Sequence, residues 1–292
     1  MPYPKNLFSA KPYDAQRLLL EIIAQDGTWQ LVVEKEQARI LGEQLLALSE
    51  GDTASQVSYF LQNSMVYVPG STLWMGSMPG DNVPLDELPR HPVQVSELYV
   101  SALLVTQGLY RYVMGENPSI EKGSKKPVHA VSWIDALHFC NAVSTLDNKE
   151  PVYTFTPEGV VWNRSANGYR LPTEAEWEYV ARTKDDLFFS GSDTMDDVAW
   201  CLENSTELAD VGVKQPNAWG IYDLSGLVCE WCWDGFGAYP SNNSHNVGSL
   251  EGEKVCRGGS WQKEKRYAKP TSRYTQIPTF RGDVGIRLIR NV

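Results

Sequence analysis

Apolar and polar positions change rhythm near residue 64. Before it, "WQLVVE" (29–34) runs apolar and β-branched, as a strand does. "KEQARILGEQLLALSEG" (35–51) then sets Ile40, Leu41, Leu45, Leu46 and Leu48 on one stripe that ends at Gly51, as an amphipathic helix does. Residues 1–64 therefore predict a small N-terminal α/β appendage, and the main domain begins at residue 65, near "QNSMVYVPG". From Val66 the runs are short. "MVYVPGSTLWMGS" predicts a hairpin-like pair around Pro69-Gly70, and "HPVQVSELYVSALLVT" adds further strand. "VTQGLYRYVMGENPS" reads as a short helix capped by Thr106 and stopped at Gly115. In "VSWIDALHFCNAVS", Ser132 caps a second helix, Asp135 follows three residues on, and Trp133, Ala136, Leu137 and Cys140 form the buried face. "RLPTEAEWEYVAR" is the clearest helix start, with Pro172 before it and Thr173 and Glu176 in a T-x-x-E capping box. Few helices among many short strands make the class α+β, rich in irregular loops.

The 23 glycines and 17 prolines agree with that many turns. A net charge of −10 argues against a nucleic-acid or anionic-membrane partner. The one basic cluster, Lys263, Lys265, Arg266 and Lys269, is too short to offset it. No apolar run approaches the ~20 residues of a membrane span. "MPYPKNLFSAKPYDAQ" has no signal-peptide core, so the compartment stays open.

Five cysteines, Cys140, Cys201, Cys229, Cys232 and Cys256, are too few for a disulfide scaffold of this length. Cys229 and Cys232 form a C-x-x-C with no second pair for zinc, and two semi-buried thiols are the simpler reading. Of His91, His129, His138 and His245, neither His129 nor His138 has a metal-spaced partner, so both read as structural. Asp86-Glu87 and Asp196-Asp197 read as loop or turn acids.

"MGS", "ELPRHPVQVSELYVSALLVTQGLYRYVMGENPS", "PVHAVSWIDALHFCNAVS", "YRLPTEAEWEYVAR", "PNAWGIYDLSGLVCEW", "RGGSW" and "GIRL" occur in that order. Together they resemble the formylglycine-generating-enzyme (sulfatase-modifying factor) family over residues 65–292, which implies a C-type-lectin-type fold. In that family's oxidases a cysteine pair shortly after G-G-S-[WY] binds copper. Here the segment reads Gln262, Lys263, Glu264, Lys265, Arg266, Tyr267, Ala268, which offers Cu(I) no soft thiolate. The sulfoxide-synthase branch binds iron through histidines, partly from an N-terminal bundle, and residues 1–64 contain none. The resemblance thus implies a non-enzymatic member with no catalytic cofactor. It also implies a structural calcium loop in "YDLSGLVCEW", with Asp223, the carbonyls of Gly226 and Val228, and Glu230 as ligands. Leu227 and Cys229 replace the Asn and Trp usual in that loop.

The end of the chain, Cys256–Val292, keeps the family frame but not its chemistry. Arg273 follows Trp261 by twelve residues and Gly285-Ile286-Arg287 closes the segment, a spacing that resembles the variable regions of diversity-generating-retroelement proteins. That likeness implies a ligand-facing set of Gln262, Lys263, Glu264, Arg266, Tyr267, Tyr274, Gln276, Phe280, Gly282 and Asp283. Trp261, Arg273 and Arg287 are expected to serve as inward scaffold. Tyr, Arg and Gln suit such a surface, since rings give contact area with few rotamers and guanidinium gives forked hydrogen bonds. The function expected is display of a diversified surface that binds a protein or other macromolecular ligand, with a cell-surface, lipoprotein-like location suggested by the resemblance. An oxidase with an atypical site, using Cys256 or Cys232, and a structural accessory module remain the alternatives.

Overall fold

The computed structural model describes strands at 8–12, 17–24 and 27–34, and residues 61, 64–80, 82–183, 186–239 and 250–292. The chain divides into two compact units, residues 1–63 and 64–292. In the first, β1 (Phe8–Pro12), β2 (Arg17–Ala24) and β3 (Gly27–Glu34) form one antiparallel sheet in that order. "WQLVVE" lies in β3. The helix expected over 35–51 falls outside the described residues.

The second unit opens with β4 (Met65–Val68), β5 (Ser71–Met75), β6 (His91–Val95) and β7 (Leu98–Ser101). The hairpin expected around Pro69-Gly70 does not form. Instead β4 pairs with β7 and β5 pairs with β6, so the chain crosses between two sheets at that point. Gly70 allows the crossing because its backbone lies against residues 95–97, and a Cβ there would meet the Glu97 nitrogen at 2.7 Å. Pro-Gly marks a change of direction, but β4 takes its partner from β7 and β5 from the next strand, β6.

The three expected helices form with their caps. In α1 (Gln107–Met114) the Thr106 hydroxyl accepts from the Leu109 N–H, and Gly115 ends the helix at φ 79°. In α2 (Trp133–Leu146) and α3 (Glu174–Arg182) both halves of the capping boxes Ser132/Asp135 and Thr173/Glu176 are present. The chain continues through the hairpin of β8 (Tyr153–Thr156) and β9 (Gly159–Trp162), the one-turn α4 (Met195–Val198), and β10 (Ala199–Trp200) parallel to β11 (Ser225–Gly226).

Next come β12 (Cys229–Gly235), β13 (Lys254–Arg257), β14 (Arg273–Gln276) and β15 (Val284–Gly285), in the sheet order β14-β13-β12-β15. β16 (Ile289–Asn291) returns to β7, so the last strand is stitched to one of the first of this unit. Trp177 and Val180 of α3 pack with Val100, Val255, Cys232 and Ile289 in a shared core. α3 thereby buries its apolar face against the β12–β13 sheet and the β4–β7 strands together.

Chemical denaturation should separate two contributions of α3. Thr173→Ala removes a cap and should cost about 1 kcal/mol, whereas Trp177→Ala empties a core site and should cost about 3–5 kcal/mol.

Candidate functional site

The pleat sorts the side chains of β12, β13 and β14 onto two faces. Register sets Glu230 opposite Arg257 and Arg257 opposite Arg273, while Trp231 lies opposite Cys256 and Cys256 opposite Tyr274. One face therefore carries charge toward α3, and the other carries Cys229, Trp231, Cys256 and Tyr274.

The charged face is closed and fully paired. Arg257, with 0% exposure, gives Nε to Glu174 at 3.0 Å, Nη2 to Glu178 at 2.7 Å, and Nη1 to the carbonyls of Pro270 and Ser272 at 2.8 and 3.1 Å. Arg273 forks onto both Glu174 oxygens at 2.7 and 2.8 Å, and its Nη1 holds the Asp86 and Gly237 carbonyls. Burial works against ionised Glu174, yet the Arg257 and Arg273 guanidiniums outweigh it and hold the carboxyl below its ordinary range. Arg287 repeats the device at Glu230, at 2.9 and 2.8 Å, and ties down the Ser101 and Tyr222 carbonyls. Arg273 and Arg287 thus point inward and are buried. Trp261 differs from a fully buried anchor: it is half-buried, with its ring against the cluster of Leu104, Leu208, Leu227 and Val228.

The segment between these arginines meets solvent unevenly. Gln262, Glu264 and Arg266 are exposed, and Lys263, Tyr267, Gln276, Phe280, Gly282 and Asp283 are half-buried. The Tyr267 ring lies 5.0 Å from that of Tyr274, with Arg266 over Tyr267 at 4.6 Å and Lys263 Nζ over Tyr274 at 5.3 Å. Tyr274 is less outward than expected, since its hydroxyl is buried without a hydrogen-bond partner. Asp283 is engaged as well: its carboxylate accepts the Ser260 hydroxyl at 2.5 Å. The Gly282 carbonyl accepts the Ala130 N–H at 2.7 Å. Sequence reading missed Lys265, Ile277, Thr279 and Arg281, which are exposed on the same segment, and Glu203, which accepts the Lys265 N–H with both oxygens at 3.0 and 2.9 Å. Apart from the place of the first four between the arginines, nothing in the pattern marked them.

The four positions implied for calcium do not fit the ion as the side chains stand. Calcium takes six to eight oxygens. The two Glu230 oxygens are held by Arg287, and Oε2 also accepts the Trp177 indole N–H at 2.7 Å, so a cation on that carboxylate would face a guanidinium. Asp223 accepts the Gly212 N–H on one oxygen at 2.7 Å and keeps the other buried without a partner. Gly226 and Val228 are buried backbone neighbours of these acids. Burial pushes the Asp223 carboxyl up to about 6, against the Gly212 hydrogen bond.

The remaining candidates serve the framework. His129 is buried and its Nε2 accepts the Ile120 N–H at 3.0 Å, while His138 stacks on Phe155 at 4.0 Å. His245 falls outside the described residues. Asp86 and Glu87 form a 3-10 turn, and Asp197 accepts the Ser192 hydroxyl. All five cysteines are buried and unbridged, and burial pushes the Cys232 thiol well above its ordinary value.

Two measurements follow from this chemistry. Arg257→Ala removes a buried guanidinium shared by Glu174 and Glu178, leaving Glu174 to Arg273 and Glu178 to Arg182, and should cost about 3–5 kcal/mol in urea. A raised Asp223 carboxyl stabilises the fold below its unfolded value, 3.8, and that contribution is lost as pH rises through about 6. Asp223→Asn should therefore be the more stable form at pH 7.5, by roughly 1–3 kcal/mol. The difference should vanish below about pH 4, and millimolar calcium should leave the wild-type midpoint unmoved.

Residues 52–292 match the sulfatase-modifying factor enzyme 1-like domain. Chaperone protein LppX of Paenibacillus barcinonensis is 36% identical over 205 residues, 58% of this chain and 71% of that protein. The formylglycine-generating enzyme of Streptomyces coelicolor is 27% identical over 245 residues, 67% of this chain and 78% of that one. Among solved structures, Treponema denticola variable protein 1 superposes with a TM-score of 0.69 at 29% identity, covering 78% of this chain and 95% of that chain. The short helices, several small sheets and irregular loops are thus the C-type-lectin-type fold of formylglycine-generating enzymes, in a form that resembles a retroelement variable protein. The chain belongs to the sulfatase-modifying factor enzyme 1-like family.

Proposed function

We propose that this chain is a non-catalytic binding protein whose contact surface is the segment from Gln262 to Asp283, with a protein or other macromolecule as its ligand. One observation carries the reading: exposed Gln262, Glu264 and Arg266 and the rings of Tyr267 and Tyr274 sit between buried, fully paired Arg257, Arg273 and Arg287. A frame closed by buried ion pairs does not draw its stability from the side chains it displays. The likeness to a variable protein supports the reading, and so does a relative named as a chaperone, a class that binds proteins. The absence of any cysteine from residues 257–292 removes the soft ligands that a copper oxidase of this family needs. The name LppX also fits a lipoprotein-like, cell-surface setting, and among the described residues no helix is long and apolar enough to cross a membrane.

A photo-reactive amino acid tests the surface in cells. Placed at Gln262, Glu264 or Arg266 it should form a discrete adduct, and placed at exposed Val161 on β9 it should not. Adducts at all four positions, or at none, would sink the reading. Gln262→Ala and Arg266→Ala should shift stability by less than about 1 kcal/mol while weakening adduct formation at Glu264. Copper-loaded protein should consume no oxygen on a cysteine-containing sulfatase peptide, and turnover in that assay would restore the oxidase reading.

A further inference from the structure

Among the described residues β5 pairs with β6 alone, and its other edge borders an open cleft of about 290 Å³ between the strand and the last turn of α3. Trp74 stands opposite Pro92, which has no N–H to give, and the Trp74 carbonyl accepts Arg182 Nη1 at 3.0 Å instead. Two residues on, the Gly76 N–H donates to Glu178 at 2.8 Å and the Gly76 carbonyl accepts Arg182 at 3.1 Å. The backbone groups of residues 74 and 76 therefore turn from β6 toward α3, and alternation along the strand turns those of Thr72 the same way. Among the described residues, nothing bonds the Thr72 N–H, the Thr72 carbonyl or the Trp74 N–H from that side. Three backbone groups are left open on a sheet edge, ready for one more strand. Charge at the cleft is uneven as well. Arg182 is matched by Glu178 and Asp186, at 3.2 and 2.5 Å. Arg90 gives only its Nε, at 3.4 Å, to the Trp74 carbonyl, and neither Nη meets a carboxylate among the described residues.

We propose that this cleft is a second binding site, which takes the carboxyl-terminal end of an extended peptide as a short parallel strand on β5. In a parallel pair one residue of the incoming chain gives its N–H to the Thr72 carbonyl and accepts the Trp74 N–H, and the Thr72 N–H goes to a carbonyl two residues earlier. All three open groups are then filled. The next carbonyl on the edge, that of Trp74, is already taken by Arg182. The chain therefore stops one residue on, with its carboxylate beside the free Nη groups of Arg90. An antiparallel strand would use the same three groups but bring an unpaired N–H or a terminal ammonium to Arg90, which the guanidinium charge disfavours. The final side chain shares a face with Trp74, which is 55% exposed and offers an apolar wall. The site shares no residue with the Gln262–Asp283 segment, so it does not depend on that segment being a contact surface.

Amide NMR on the full chain tests this with N-acetylated Val-Thr-Ala-Phe, ended as the free acid or as the amide. The acid should shift the Thr72 and Trp74 amide signals in a saturable way, and the amide should bind about tenfold more weakly for loss of one charge-assisted contact. Arg90→Gln should bring the acid down to the affinity of the amide. Thr72→Pro removes the outward N–H and fills its place with the ring, so it should abolish binding of both peptides. If that variant fails to fold, the peptide with an ester in place of the alanine N–H removes the bond to the Thr72 carbonyl and should bind more weakly to the wild type. No saturable shift at Thr72 and Trp74, or shifts centred on residues 262–283, would overturn the site. Equal affinity of acid and amide overturns the carboxylate contact. Binding that survives Thr72→Pro, or is unchanged by the ester, overturns the strand pairing.

Discussion

A buried guanidinium held by two carboxylates of one helix governs this domain. Arg257 meets Glu174 and Glu178 one helical turn apart on α3, and its remaining donor closes the Pro270 and Ser272 carbonyls. Three separate stretches of chain are thereby fixed to one planar cation: the helix, the strand β13, and the return of the loop into β14. Burying such charges is costly, and the arrangement holds only because each donor and acceptor finds a partner. Arg273 and Arg287 extend the same logic to Glu174 and Glu230, which anchors the displayed segment to the core at its middle and beyond its far end.

This constraint also explains why the site lacks an obvious reactive group. The acids that face the sheet are neutralised by arginine or kept close to protonation by burial. Asp234, which accepts the Glu174 N–H at the start of α3, has its carboxyl pushed up to about 7 by burial and by neighbouring Glu174. Lys254 lies over the Trp133 ring at 4.2 Å, and burial lowers its ammonium to about 8. Such shifts accompany catalytic sites in many proteins. Here they belong to groups with almost no exposed surface, so they describe the interior of a frame.

Local chemistry was the legible part of the sequence. Thr106, Ser132 and Thr173 announced three helix starts because a cap needs only neighbours a few residues away. Pairing over distance was not legible: Pro69-Gly70 suggested a hairpin, whereas the partners of β4 and β5 came from elsewhere. C-x-x-C reads as two semi-buried thiols, and both are buried; a spacing of three within one strand sets them on opposite faces. The calcium reading rested on residue types at the right intervals, and what closes it is Arg287, more than fifty residues away, on Glu230. At the C-terminal segment the arginine frame was readable from position, but the half-burial of Trp261 and the inward hydroxyl of Tyr274 depend on packing that no local pattern encodes.

Alternation along β14 has a further consequence. Arg273 faces the interior ion pairs and its neighbour Tyr274 faces the opposite side, so the strand is read like a comb whose adjacent teeth point to opposite faces. Exchange of one residue type for another leaves that comb intact. Loss of a single residue within β14 would turn the tyrosine toward Glu174 and the arginine away from it, inverting both faces at once. What this part of the molecule cannot surrender is its length, and any natural process that diversifies it must rewrite letters without adding or removing them.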